Sequence, residues 1–200
     1  MIDKDLPESI RAFVAIHLPE PLLVALRDLQ RRLEAELPKG AVRWTAPEQI
    51  HLTLKFLGNI ASSALVELQT SLEEICANAA PLLLRAQDLG CFSNRAKPRV
   101  IWVGLAGESA QLLALQSQID SALQRWCEKA EARAFHPHLT IGRLGSVSPG
   151  TARRVGASLK EASIPTLWEW EVESVKLMRS KLSPQGAEHS ILASLPLRSG

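Results

Sequence analysis

The chain has 200 residues, 46% apolar and 22% charged, enough for one substantial core or two small lobes sharing one. A net charge of +2 and a pI near 8.5 are too mild for a protein that wraps long nucleic acid, but they allow a local pocket for one or two phosphates. No run reaches the ~18 apolar residues of a membrane span. The acidic start, MIDKDLPESIRAF, lacks the apolar segment of a secretory signal. Cys76, Cys91 and Cys127 form no close pair and read as reduced thiols of a cytoplasmic protein.

Residues 10–16, IRAFVAI, read as a β-branched strand. Pro19-Glu20-Pro21 then opens a helix with Leu22, Leu26, Leu29, Leu33 and Leu37 on one stripe, stopped by Pro38-Lys39-Gly40. Residues 51–57 form the next strand, Gly58 and Asn59 turn the chain, and Ser62 or Ser63 caps a helix carrying Leu65, Leu68, Leu72 and Ile75. Two strands, 81–92 and 99–105, flank the loop SNRAKP. A helix over about 108–129 follows, with Leu112, Leu115, Ile119, Leu123 and Trp126 inward. Residues 138–144 are again a strand, 150–161 a short basic helix, 167–180 an alternating strand and 189–197 the closing strand.

Each half thus predicts strand, helix, strand, helix, strand, strand, although the first strand of the second half is faint around 131–135. No Gly/Ser-rich linker separates the halves. The expected fold is one α+β domain over residues 1–200, built as two similar lobes.

The two halves share a phrase. HLTLKFLG starts at His51, HLTIGRLG starts at His138, and the starts lie 87 residues apart (51 to 138). On a strand, side chains alternate between faces. His51 and Thr53 therefore share a face while Leu52 and Leu54 enter the core; His138 and Thr140 repeat this against Leu139 and Ile141. Two imidazoles facing each other across a cleft suit in-line displacement at phosphorus. One neutral ring takes a proton from water and one protonated ring gives a proton to the leaving oxygen. The Thr hydroxyls can hold the non-bridging oxygens where charge builds. A lone His-X-Thr is a weak motif; the duplication is the signal.

The chain resembles the two-histidine (2H) phosphoesterases, and within them the bacterial RNA 2′,3′-cyclic phosphodiesterase, or 2′-5′ RNA ligase (LigT-like), family. The resemblance covers nearly the whole chain through RAFVAIHLP, VRWTAPEQIHLTLKFLG, KPRVIWVGL, FHPHLTIGRLG and VKLMRSKLSPQGAEHSIL. It implies a bilobal α+β fold with the motifs at 51–54 and 138–141 lining a central cleft. It also implies opening of an RNA 2′,3′-cyclic phosphate to a 2′-phosphate, with reversible 2′-5′ ligation as the reverse reaction. His51 would be the proton donor and His138 the proton acceptor. Thr53, Thr140 and Arg143 would bind the phosphate. The chain departs from the resemblance at Met178, where relatives often carry an aromatic, and at Asn94-Arg95, in a loop of variable sequence.

By strict alternation Arg143 would turn away from the cleft, and Gly142 could permit a bulge that re-aims it. Lys55 has the favourable parity with His51 and Thr53 and is a candidate substrate contact. Trp44 and Phe56 are further candidates for stacking on a base, against the commoner role of packing in the core. His136, with His51 and His138, would make a three-histidine zinc set. Pro137 between two of them and the lack of an orienting carboxylate argue against it, so neither metal nor cofactor is expected. His17 and His189 read as structural or exposed, and Trp102 and Trp126 as core. The expected partner is RNA with a 2′,3′-cyclic end, acted on by a monomer without a membrane. The alternatives are a phosphodiesterase for small cyclic or ADP-ribose-type phosphoesters, and a non-catalytic RNA- or nucleotide-binding module.

Overall fold

The computed structural model describes residues 7–93, 97–127, 134–162, 164–183 and 186–198. Its strands and helices run, in chain order, β1 (Ser9–Ile16), α1 (Glu20–Glu36), β2 (Val42–Trp44), β3 (Leu52–Ala61), α2 (Leu65–Ala77), β4 (Leu82–Phe92), β5 (Val100–Gly107), α3 (Ser109–Leu123), β6 (His138–Leu144), α4 (Pro149–Glu161), β7 (Trp168–Val172), β8 (Ser174–Ser183) and β9 (Gly186–Pro196).

The leucine stripe of α1 buries Leu22, Leu26, Leu29 and Leu33, as its spacing predicts. Past its end Gly40 sits at φ 69°, which reverses the chain into β2. Helix α4 is capped by Ser148, whose Oγ accepts from the Thr151 amide at 3.1 Å.

Three local expectations fail, each for a visible reason. Strand β3 does not turn at Gly58-Asn59; Gly58 takes φ 77° within the strand, which pairs with β1 as far as Ala61. Ser62 does not cap α2, because its hydroxyl donates to the Pro7 carbonyl instead and α2 starts from Ala64 without a side-chain cap. The run 167–180 is not one strand: it breaks at Glu173, and its pieces β7 and β8 join different sheets. The faint strand expected around 131–135 lies outside the described residues at 131–133; Ala134 and Phe135 are not in a strand.

Two antiparallel sheets result, ordered β3-β1-β8-β9 and β2-β6-β5-β4-β7. Halves of the chain are therefore not lobes. The hairpin β4–β5, from the middle of the chain, forms the sheet of the second phrase, while β8 and β9 return to complete the sheet of the first. Without β2, the orders β3-β1-β8-β9 and β6-β5-β4-β7 correspond strand for strand, with the phrase strand at the same end. Helices α2 and α3 cover one face of the first sheet, and α1 and α4 cover one face of the second. The covered faces and the helices share one continuous apolar core. The architecture is a two-lobed α+β fold whose phrase strands β3 and β6 come into contact.

Candidate active site

Both phrase strands carry a bulge at the same place. In β3, Val14 pairs with Lys55 and the next residue, Ala15, pairs with Thr53, so Leu54 is skipped. In β6, Ile101 pairs with Gly142 and Trp102 with Thr140, so Ile141 is skipped. A bulge inverts the parity of everything beyond it. Lys55 is thereby turned into the protein, where its ammonium meets Asp120 of α3 at 2.5 Å and Gln124 at 3.0 Å. It is not brought to the cleft. Phe56 takes the helix-free face instead and is 63% exposed. The same inversion puts Arg143, rather than Gly142, on the helix-free face of the second sheet, exposed and opposite Arg43 of β2.

Gly142 is required by β2. A Cβ there would meet Val42 Cγ1 at 2.7 Å and the Trp44 ring at 3.0 Å. Trp44 consequently packs on the core side of β6 against Gly142 and lines a shallow hollow with Leu37, Lys39 and Val42, on the face opposite His138 and Thr140. It is not a cleft residue.

A bulged residue's carbonyl drops out of the regular ladder and takes other donors; that of Ile141 accepts from the Thr45 amide at 3.0 Å. In each lobe a glutamine from a helix packed on that lobe's own sheet also donates to it. Gln30 of α1, itself buried, donates to Ile141 O at 2.8 Å and to Thr45 O at 2.7 Å. Gln116 of α3 donates to Leu54 O at 3.2 Å. Sequence reading passes over both; the only signal is a polar residue four places after Leu26 on an apolar stripe. We expect Gln30→Leu to lower stability by about 1–3 kcal/mol, the cost of stranding the Thr45 carbonyl and taking one of two donors from Ile141 O, as a reduced denaturant midpoint with unchanged slope.

The two imidazoles are held identically. His51 Nδ1 lies 2.8 Å from Gln49 O, and His138 Nδ1 lies 2.7 Å from His136 O. A carbonyl only accepts, so each Nδ1 carries hydrogen. Each Nε2 is then the nitrogen that gains or loses a proton. Burial pushes His51 down to about 4, reinforced by the charges of His189, His17 and His138 and opposed by the Gln49 carbonyl. Burial also lowers His138, with His136 and Arg143 adding to the effect and the His136 carbonyl opposing it. In the free protein both rings are therefore neutral at pH 7.

The helix-free face of the first sheet is apolar beside the phrase. Phe56, Phe13, Met178 and Ile191 are successive register partners across all four strands. Phe13, Ala15 and Met178 form a small buried cluster of their own. Small Ala15 pairs with Thr53 between His51 and Phe13, and the imidazole stacks on Phe13 at 4.9 Å. The corresponding face of the second sheet holds Trp102, next to Thr140, with its ring lying over Gly90, where a Cβ would approach it to 2.3 Å. Trp102 thus lies on the helix-free face beside Thr140 and not in the core, contrary to its sequence reading, and its ring centroid is 5.0 Å from that of His136. Phe92 meets His138 edge-on at 4.7 Å. Thr53 and Thr140 are half-buried on these same faces. Asn94 and Arg95 lie outside the described residues. Among the described residues no group of three or more His, Cys, Asp or Glu is placed to hold a metal, and no helix is long and apolar enough to cross a membrane.

A model of the LigT-like phosphoesterase family matches residues 16–102 and again 103–188, one phrase in each. The chain belongs to the LigT-like phosphoesterases. Relatives include RNA 2′,3′-cyclic phosphodiesterases of Archaeoglobus fulgidus, 27% identical over 88% of this chain and 94% of that protein, and of Aeropyrum pernix, 30% identical over 72% and 80%. Among solved structures, a Thermus thermophilus protein, TT0787, superposes with a TM-score of 0.78 at 26% identity, covering 95% of this chain and 99% of that one. Escherichia coli LigT complexed with 3′-AMP gives 0.74 at 25%, with coverage of 95% and 99%. As a LigT-like phosphoesterase the chain is a phosphodiester hydrolase, which removes the non-catalytic reading.

Proposed function

We propose that this LigT-like phosphoesterase opens 2′,3′-cyclic phosphate ends of RNA to 2′-phosphates by metal-independent acid–base catalysis, with residues 1–200 acting as one monomeric catalytic unit. The observation that carries the reading is the matched pair of imidazoles, each with Nδ1 tied to a carbonyl and Nε2 left for proton exchange. The relatives' activity on RNA cyclic phosphates names the substrate class.

In this scheme His138 Nε2 takes a proton from water as the oxygen attacks phosphorus. The P–O3′ bond breaks opposite, and His51 Nε2 gives its proton to the departing 3′ oxygen. Thr53 and Thr140 hydroxyls and the Arg143 guanidinium hold the non-bridging oxygens. Because the 3′ oxygen belongs to the nucleoside, the nucleoside lies on the side of His51 and the first sheet. That side offers Phe56 as a stacking surface, while Arg143 occupies the equivalent place across the cleft. Lobes of equal backbone thus carry unequal jobs. With a 5′-hydroxyl in place of water, the same forward steps join a 2′-5′ linkage, with P–O5′ formed and P–O3′ broken; run backwards, they cleave that linkage.

The test is product analysis of a short RNA ending in a 2′,3′-cyclic phosphate, with EDTA present. Phosphate should appear on the 2′ oxygen; phosphate on the 3′ oxygen, or activity abolished by chelation, would sink the scheme. Exclusive activity on small ADP-ribose-type phosphoesters would replace the substrate class while keeping the site. Phe56→Ala should raise KM far more than it lowers kcat, by about 5- to 150-fold, equivalent to ~1–3 kcal/mol for one stacked base.

A further inference from the structure

We propose that His189 is a positioning residue for His51, clasping its ring from the β9 side and competing with it for the proton. The proton-donor role of His51 is taken from the function proposed above; the clasp itself is a matter of geometry. His189 is in register with Ser180 of β8, near the hairpin end of β9. Its ring nonetheless reaches His51, with centroids 5.2 Å apart at 76°, and Phe13, at 5.0 Å and 68°. His51 is thus laid on Phe13 and met by the His189 ring.

A second link runs to the same stretch of β9. Gln49, whose carbonyl holds His51 Nδ1, donates its side-chain amide to Ala187 O at 2.8 Å. Both restraints on the His51 ring therefore lead to Ala187–His189. His138 has a different setting: its edge contact is Phe92, and the imidazole beside it, His136, is 6.4 Å away and nearly parallel. The asymmetry falls on the histidine that must arrive protonated.

The charges that shift the clasp's imidazoles share one sign. His189 of β9, His17 at the end of β1 and His138 of β6 act on His51, and Lys176 of β8 acts with His189 on His17. None of the groups that shift these imidazoles is a carboxylate. A proton on His189 repels one on His51 across 5.2 Å, so the pair resists double protonation. A bound phosphate supplies the missing negative charge. The clasp thereby adds to the burial that keeps His51 neutral and couples its protonation to the arrival of the substrate.

The experiment is an NMR pH titration of the His51 ring in the full chain, for wild type, His189→Gln and His189→Phe, beside kcat and kcat/KM on a 2′,3′-cyclic RNA end. In H189Q the His51 midpoint should rise by roughly 0.5–1 pH unit as the competing charge goes, and the acid limb of kcat/KM should rise with it. Turnover in H189Q should fall about tenfold from the loosened ring, and H189F, which restores a ring edge, should recover most of it. An unchanged His51 midpoint in H189Q overturns the proposal, as does equal loss of turnover in H189Q and H189F. The titration needs no activity, so wild type inert on cyclic ends with a His51 midpoint that still moves would refute the substrate reading and leave the clasp standing.

Discussion

His51→Ala and His138→Ala should each lower kcat on a 2′,3′-cyclic RNA end by about 10²- to 10⁴-fold, the span expected for losing a positioned acid or base. The double variant should be little worse than either single one, because the two rings act on one in-line displacement and neither has a role without the other. Folding should survive, since neither ring belongs to the apolar core; circular dichroism and denaturant midpoints check this. Thr53→Ala and Thr140→Ala should cost less, about 2–4 kcal/mol in the barrier, as each removes one donor to a developing charge. A single histidine variant with near-normal turnover would end the paired-imidazole reading. A double variant whose loss equals the product of the two singles would show the histidines serving separate steps.

The phrases, their strands and the inward leucines are legible in the sequence because period-two and 3.6-residue patterns are local. Sheet membership is not local. Nothing in LWEWEVESVKLMRS marks Glu173 as the point where the chain changes sheets. The bulge was readable only in part. Gly142 hints at it in β6, but the same bulge in β3 stands before Lys55, which carries no such hint. The difference follows from the neighbours: β2 lies against β6 and leaves no room for a side chain at 142, whereas β3 is a sheet edge and position 55 opens towards α3. Parity alone therefore misplaces Lys55 and leaves Phe56, its neighbour, to take the cleft. His189, Phe13 and Trp102 were hidden for another reason. They reach the site through strand pairing between residues far apart in the chain, and their types suit a core as well as a cleft.

The pH dependence of kcat/KM should be a bell lying on the acid side of 6.5. That parameter reports the free enzyme, and in the free enzyme burial lowers His51 to about 4 and lowers His138 as well. The reactive form holds one proton between the two rings, on His51. Below the first limb both rings are protonated and the base is lost. Above the second limb both are neutral and the acid is lost, so the rate falls by about tenfold per pH unit, near a hundredfold between pH 6.5 and 8.5. The phosphodiester substrate keeps its single charge throughout this range and adds no limb. In the complex its negative charge favours both imidazoliums, so the bell in kcat should lie at higher pH than the bell in kcat/KM. By the same linkage, binding of a phosphate-bearing product near neutral pH should take up protons. Calorimetry in buffers of different ionisation enthalpy measures that uptake directly. A kcat/KM optimum above pH 7.5, or product binding that releases protons, would mean the rings are not neutral in the free enzyme. The acid would then be loaded before the substrate arrives rather than by it.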